Sequence, residues 1–375
     1  MSRLALASKR LFCGDALSSH KVVLIEDGKV KALCDYVPSG WEVINAPGDL
    51  VTPGLVDAHT HAGILSEGSG WAGSDVNEMT GPVTAGLRAV DAVDYTDSAF
   101  AKALQAGVTT VLIVPGSSNV IGGTGFTMKT HGTGYSDMIL EEPAVLKSAI
   151  ARFYGKQGKF PATRMGVFSI LRSAFWAASL EDAKQVPGLG ELGPTAREHL
   201  RMVLAKKIPL RVHLMNVTEI LALLALAREC DISVVLDHAS DADLVVDEIR
   251  DAGVPVVYGP LFVPRDGPGR RRRSAVVAAR LIRAGVKTAI MTDHPIVPLK
   301  YLRLEAGLLI REGIGWQEAM KSITSNPADI LGLGGRVGRL VPGSDADLVC
   351  WANEPWQPNG RALMVLVNGR VVHQI

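Results

Sequence analysis

The sequence predicts an α/β fold: a (β/α)8 TIM barrel with a small composite β-sandwich domain formed from both termini. Three observations lead there. Both ends carry short β-type runs joined by two-residue turns, and the interior alternates apolar strand-like runs with amphipathic helical ones. Several histidines and one aspartate also fall at the carboxyl ends of those apolar runs.

At the N-terminus, LALASKRLF, KVVLIEDGKV, KVKALCDYV and WEVINA read as strands, with Asp27-Gly28 as a hairpin turn. The last forty residues are alike: GRLVPGSDADLVCWA, then LMVLVNGRVV, with Asn368-Gly369 as the second turn. Neither end is long enough to bury a core alone, so the two are expected to pair as one domain, residues 1–50 plus 336–375. Between them, residues 51–335 are enough for a barrel, which typically takes ~250 residues. VTPGLVDAHTH, VTTVLIVPG, IPLRVHLM, ISVVLDHAS, VPVVYGP and VKTAIMTDH are strand-like, and DSAFAKALQAG, VTEILALLALAREC and SAVVAARLIRAG are helical. Nearly continuous Val/Ile/Leu strands separated by helices indicate a parallel sheet covered on both faces. GFTMKT (125–130) and AVLKSAI (144–150) are the candidates for the third and fourth strands, although the second also reads as helix. Residues 161–207 read as mostly helical around the insertion QVPGLGELGP. An open doubly wound sheet is the alternative, weakened because neither GxGxxG nor GxxxxGK[ST] follows an early strand.

Composition narrows the function classes. A 47% hydrophobic chain of 375 residues with 21% charge builds a sizeable core and is not disordered. With Lys plus Arg at 39 and Asp plus Glu at 38, no general field draws it to nucleic acid or to a membrane surface. Cys13, Cys34, Cys230 and Cys350 are scattered, with no CxxC, which suits a reducing cytoplasm and argues against a disulfide framework or zinc ribbon. Lys9 and Arg10 interrupt any signal-like apolar stretch, and the longest uncharged run, 103–128, is broken by Gly, Ser, Asn and Pro. A cytoplasmic chain is the expectation.

The chemistry is expected where the histidines fall. His59, His61, His213 and His238 end apolar runs, and Asp293 ends another. Parallel barrels do their chemistry at that face, where strand ends and the following loops converge. Residues i and i+2 of a strand point the same way, so His59 and His61 can offer two imidazoles to one ion, each nitrogen ~2.0–2.1 Å from a zinc. An HxH alone is weak evidence; five residues of ligand type at strand ends are strong evidence. The arginine run 270–273 reads as a solvated loop or as a site for an anionic group.

VTPGLVDAHTH, with His213, His238 and Asp293 ending later strands, resembles the amidohydrolase superfamily. DVNEMTGPVTAGLRAVDAVD, AGVTTVLIVPGSSNVIGG, PATRMG, TDHP, SNPADILGL and VPGSDADLV resemble its imidazolonepropionase-like branch of metal-dependent hydrolases. The likeness covers nearly the whole chain. It implies His59 and His61 on a buried metal, His213 and His238 on a second, and Asp293 at the first beside the attacking water. It also implies a bridging carboxylate, often a lysine carbamate, because two divalent cations repel unless an anion lies between them. Lys147 in AVLKSAI is the first candidate and Lys129 in FTMKT its rival. A single metal with no bridging lysine is the third possibility. Zinc suits the His/Asp set, with iron, manganese or cobalt as alternatives.

The expected activity is metal-activated hydrolysis of a non-backbone or dipeptide C–N bond in a small molecule, an amide or cyclic amide. Asp293 would take the water's proton and pass it to the leaving nitrogen. Asn119, Arg164, Tyr258 and His131 are the candidate substrate contacts, with Asp75, Asn77, Glu78, Ser117 and Ser118 in the neighbouring loops; His294 is expected beside the site rather than on the metal. The alternatives are a mononuclear deaminase of a small heterocycle, with Glu219 as the nearest candidate proton donor, and a non-catalytic scaffold on the same fold. The resemblance also makes a homo-oligomer an expectation.

Overall fold

The computed structural model describes residues 3–132, 134–150, 160–180, 192–264 and 271–375. Four strands open the chain: β1 (Arg3–Ala7), β2 (Val22–Glu26), β3 (Lys29–Cys34) and β4 (Glu42–Asn45), ordered β3-β2-β1-β4. The β2–β3 turn is Asp27-Gly28, with φ of 49° and 81°. Positive φ at both central residues matches the right-handed twist of the strands, which is why Asp-Gly is favoured there. Residues 50–60, one run in the sequence, divide at Gly54. β5 (Leu50–Pro53) leaves for a second small sheet and β6 (Leu55–Thr60) opens the barrel. Gly54 permits this because a Cβ there would lie 2.0 Å from Thr109 Oγ1.

The barrel continues with β7 (Val108–Ile113), β8 (Ile121–Lys129), β9 (Ile139–Ala149), β10 (Leu210–Leu214), β11 (Val234–His238), β12 (Val256–Tyr258) and β13 (Thr288–Ile290), neighbours in chain order. A parallel bridge between Thr60 and His294 joins the last strand's extension to the first. The expectation of uniformly parallel strands is corrected at one place: β8 runs antiparallel to both β7 and β9. Only seven residues separate β7 from β8, too few for the dozen or more that a parallel crossover needs. Both mid-barrel candidates are strands, longer than the sequence suggested, and AVLKSAI is not helix. The expected helices form at Ser98–Gln105, Val217–Glu229 and Ala275–Arg283. Arg164–Ser179 and Pro194–Leu204 account for much of the described part of 161–207, while residues 181–191 of that insertion lie outside the described residues.

β14 (Leu348–Ala352), β15 (Arg361–Val367) and β16 (Arg370–Gln374) complete the second small sheet, ordered β16-β15-β14-β5. Asn368-Gly369 makes its hairpin, again with positive φ at both positions. Leu4, Leu6, Val23 and Ile25 of the first sheet share one apolar cluster with Val51, Leu348, Cys350 and Leu366 of the second. One side of each sheet thus contributes to a shared cluster, while Val349, Trp351 and Val365 of the second sheet join the cluster of the barrel. Leu50–Pro53, at the expected boundary near residue 50, pairs as β5 antiparallel with β14 and so belongs to the second small sheet rather than to the barrel.

The reversed β8 decides the fate of Lys129. It is paired with Thr110, near the start of β7 and therefore away from the carboxyl ends of the parallel strands. There its ammonium, 1% exposed, lies 2.7 Å from Asp345 and 3.0 Å from Asp347, and donates to Asn368. Lys129 ties the barrel to the terminal sheets and is withdrawn as a metal-bridging candidate. Removing one partner of such a buried cluster typically costs about 3–5 kcal/mol. Lys129→Met is therefore expected to lower stability by that amount in denaturant unfolding while leaving metal uptake unchanged.

Candidate metal centre

Alternation along the strands stacks chemistry in levels. Val145 and Lys147 share one side of β9, Val235 and Asp237 one side of β11, Arg211 and His213 one side of β10, and Asp57 and His59 one side of β6. Fully buried ionisable groups at Asp57, Arg211 and Asp237 thus lie just before strand-end histidines, and Lys147 lies near the end of β9.

His59, His61 and Asp293 offer ligand atoms all within 4.8 Å of one another. Their hydrogen bonds explain what the space between them requires. His59 Nδ1 lies 3.0 Å from Asp237 Oδ2, and His61 Nδ1 2.7 Å from the Val114 carbonyl. An ionised carboxylate and a carbonyl only accept, so Nδ1 is the donor in both rings. Both Nε2 atoms then turn toward Asp293 Oδ1, at 3.5 Å from His59 and 3.2 Å from His61. Acceptors facing each other at such distances need a proton or a cation between them. The donor set fits a divalent cation.

His238 and His213 extend the cluster. Ring centroids are 5.5 Å apart for His59 and His238 and 4.2 Å for His213 and His238. His238 Nδ1 donates to the Gly259 carbonyl at 2.8 Å. Its Nε2 is buried with no hydrogen-bond partner among the described residues. His213 Nδ1 lies 2.9 Å from Ser117 Oγ. Simple alternation would turn His238 away from Asp237, its neighbour. A left-handed backbone, φ 69° at His238 and 46° at Ala239, brings the ring back; Asp293 sits at φ 52°. Left-handed non-glycine residues concentrate at sites where the surroundings enforce them.

Electrostatics keep these groups ready to bind a cation. Burial, reinforced by Lys147, lowers His59 to about 4, and burial takes His238 well below its ordinary value. Both rings are therefore neutral at physiological pH. Burial alone would raise Asp293, but in the metal-free site a proton held between its carboxylate and His61 Nε2 outweighs burial and keeps the carboxyl well below its usual range. Asp237 is likewise held low, because Arg211, His59 and Lys147 outweigh its burial. Lys147 is fully buried 3.4 Å from Asp237, and burial lowers its pKa. Of the two candidate lysines, only Lys147 lies beside the histidines.

The weaker candidates divide. His131 is exposed beyond the end of the reversed β8, beside the Asn368–Gly369 turn, and so is removed from the site. Tyr258 is fully buried, its hydroxyl accepting from the Ser274 amide, and is not on an open surface of the site. Asn119 Nδ2 donates to the Glu78 and Gly81 carbonyls, and Asn77 accepts from the Ser118 amide, so these residues brace the loops after β6 and β7. Arg164 starts the helix Arg164–Ser179, its Nε 3.4 Å from Glu219. Glu219 forms a capping box with Asn216 and accepts from the Met215 amide. His294 is buried and accepts from the Leu299 amide. Of the arginine run, Arg273 is buried 3.3 Å from His238 Nδ1, Arg272 pairs with Asp243, and Arg270 lies outside the described residues.

Sequence reasoning missed Asp57, Thr292, Arg211 and Asp237. Asp57 Oδ2 accepts from the Thr292 amide and hydroxyl, and its Oδ1 from the His59 amide. A charge inside an otherwise apolar run, one or two residues before a strand-end histidine, was the signal available for three of the four. In metal-free protein at about pH 5.5, below an ordinary imidazole's pKa, His59 and His238 are expected to remain neutral. Long-range 1H–15N spectra of the imidazoles check this.

Comparisons with known proteins agree with this geometry. The profile described as "Amidohydrolase family" matches residues 197–373. The crystal structure of an amidohydrolase from Thermotoga maritima MSB8 superposes with a TM-score of 0.92 at 33% identity, covering 99% of this chain and 100% of that one. Amidohydrolase tasK of Hapsidospora irregularis is 27% identical over 95% of this chain, and the aligned region is 39% of that protein's length. The imidazolonepropionase of Acidiphilium cryptum is 28% identical over 83% of this chain and 80% of that protein. On this likeness over its whole length, the chain belongs to the amidohydrolase superfamily, in the imidazolonepropionase-like branch, as a hydrolase of carbon–nitrogen bonds.

Proposed function

We propose that this hydrolase cleaves a non-backbone or dipeptide amide, cyclic amides included, in a small molecule, using divalent metal held by the strand-end residues. The observation that carries the reading is the convergence of His59 Nε2, His61 Nε2 and Asp293 Oδ1 as facing acceptors, with His238 and His213 in ring contact beside them. His59, His61 and Asp293 would hold one metal, His213 and His238 a second, and Lys147, as a carbamate, the bridge between them. Zinc suits imidazole and carboxylate donors. When bound, such cations lower the pKa of water toward ~7 and polarise the scissile carbonyl.

The chain's own groups do the rest. Asp293, ionised and within reach of both first-strand histidines, accepts the proton of the attacking water and delivers it to the leaving nitrogen. The loops after β6 and β7, braced through Asn77 and Asn119, wall one side of the site. The deaminase alternative loses its candidate proton donor, because Glu219 is engaged in capping the helix that follows β10. The two terminal sheets contribute none of the ligand-type residues, which supports reading them as a separate composite β-sandwich domain, with β5 included. Four free cysteines support a reducing cytoplasm as its location.

Elemental analysis of protein purified without chelator is expected to find about two metals per chain, and Lys147→Ala to reduce that number. One metal in the unaltered protein would instead favour a mononuclear site and remove Lys147 from it. Asp293→Asn is expected to lower turnover of an accepted amide or dipeptide by about 10²–10⁴-fold; full turnover in that variant would exclude Asp293 as the base.

A further inference from the structure

We propose that Asp237, clamped by Arg211, is a positioning residue that sets the orientation of both His59 and Lys147. The inference rests on the reading above, that His59 binds metal through Nε2, and goes beyond it by assigning a role to two charges the sequence did not single out.

The geometry is that of a hub joining four strands. Asp237 on β11 has no exposed surface. Its Oδ1 accepts from Arg211 Nε at 3.0 Å and Nη2 at 2.5 Å, and Arg211 Nη2 also donates to the Ala58 carbonyl at 2.9 Å. Its Oδ2 accepts from His59 Nδ1 at 3.0 Å and Lys147 Nζ at 3.4 Å. Arg211 and Lys147 are register partners on adjacent parallel strands, so two cations lie side by side in the barrel. Among the described residues, Asp237 is the carboxylate that ion-pairs with both.

Stability is a poor reason for such a cluster, because a buried ion pair is often no more stabilising than well-packed apolar residues of the same volume. Orientation is a better one. An imidazole that donates to a carboxylate is fixed in rotation and tautomer, and its other nitrogen becomes the more basic donor to a cation. Arg211 supplies the counter-charge from its own strand and hydrogen-bonds the backbone between Asp57 and His59. The hold on His59 therefore does not depend on which group Lys147 carries.

The test uses Asp237→Asn, which keeps the shape and removes the charge, with Arg211→Lys as a second variant that keeps a charge but loses the two-point grip. Zinc affinity, measured by competition with a chromophoric chelator, is expected to fall about 10–100-fold in D237N and less in R211K. The visible absorption of the Co²⁺-substituted protein is expected to change in both. A purely structural role would lower the melting temperature of the metal-free protein and leave affinity and cobalt spectrum as in the unaltered chain; that result overturns the proposal. Should neither variant fold, the metal-loaded unaltered protein decides, with the His59 signal assigned by its loss in His59→Asn. A proton on Nδ1 supports the hub and a proton on Nε2 overturns it. If the unaltered protein takes up no zinc, or His59→Asn takes up as much, the metal reading itself fails and this inference with it. Uptake that depends on His59 but not on Asp237 sinks only the inference.

Discussion

Barrel closure is the constraint on which the site depends. His59 and His61 stand on the first strand and Asp293 just beyond the last, more than two hundred residues later. They meet because the two strand ends are bonded to each other. His61 N donates to the His294 carbonyl at 2.9 Å, and the Asp57 carboxyl accepts from both the amide and the hydroxyl of Thr292. Burial raises Asp57 to about 7, against the pull of those same hydrogen bonds from Thr292 and His59. A buried carboxyl so disposed persists where its donors are held in place, and here it links the residues on either side of the closure. Without that seam, the acceptors around Asp293 would not converge.

A second constraint is chain direction. A short connection after β7 forces β8 to return antiparallel, and the next strand then runs with the rest of the barrel. The consequence is chemical. Two lysines that look equivalent in sequence, each in an apolar strand-like run, are sent to opposite ends. Lys129 meets Asp345, Asp347 and Asn368 and binds the barrel to the terminal sheets. Lys147 meets Asp237 beside the histidines. The same reversal carries His131 away from the site. One fold therefore uses a buried lysine twice, once as a structural tie and once among the groups that surround the strand-end imidazoles.

Local backbone conformation completes the arrangement. His238 follows Asp237 directly, and regular alternation cannot aim both inward. The left-handed turn at His238 and Ala239 does so, letting Asp237 hold His59 while the His238 ring meets that of His213 at a tilt. The loops after β6 and β7 are fastened to each other through Asn119, Asn77 and the backbone. The approach to the candidate metal centre is thus shaped by polar residues that would otherwise be read as substrate contacts.

How much of this was legible follows the range of the interactions. Periodicity, hairpin turns and caps are local, so the sequence by itself determined most strands and helices, AVLKSAI excepted, the Asp27-Gly28 and Asn368-Gly369 hairpins, and the strand-end positions of His59, His61, His213 and His238. Position at a strand end follows from where an apolar run stops, and barrel topology brings such ends together. The direction of β8, the division of residues 50–60 at Gly54, and the Asp237–Arg211 grip on His59 depend on which strands become neighbours and in what register. No local pattern encodes those partners. Only the tertiary structure decided them, because a buried charge is tolerated only where the fold supplies its counter-charge, and that counter-charge stands on another strand.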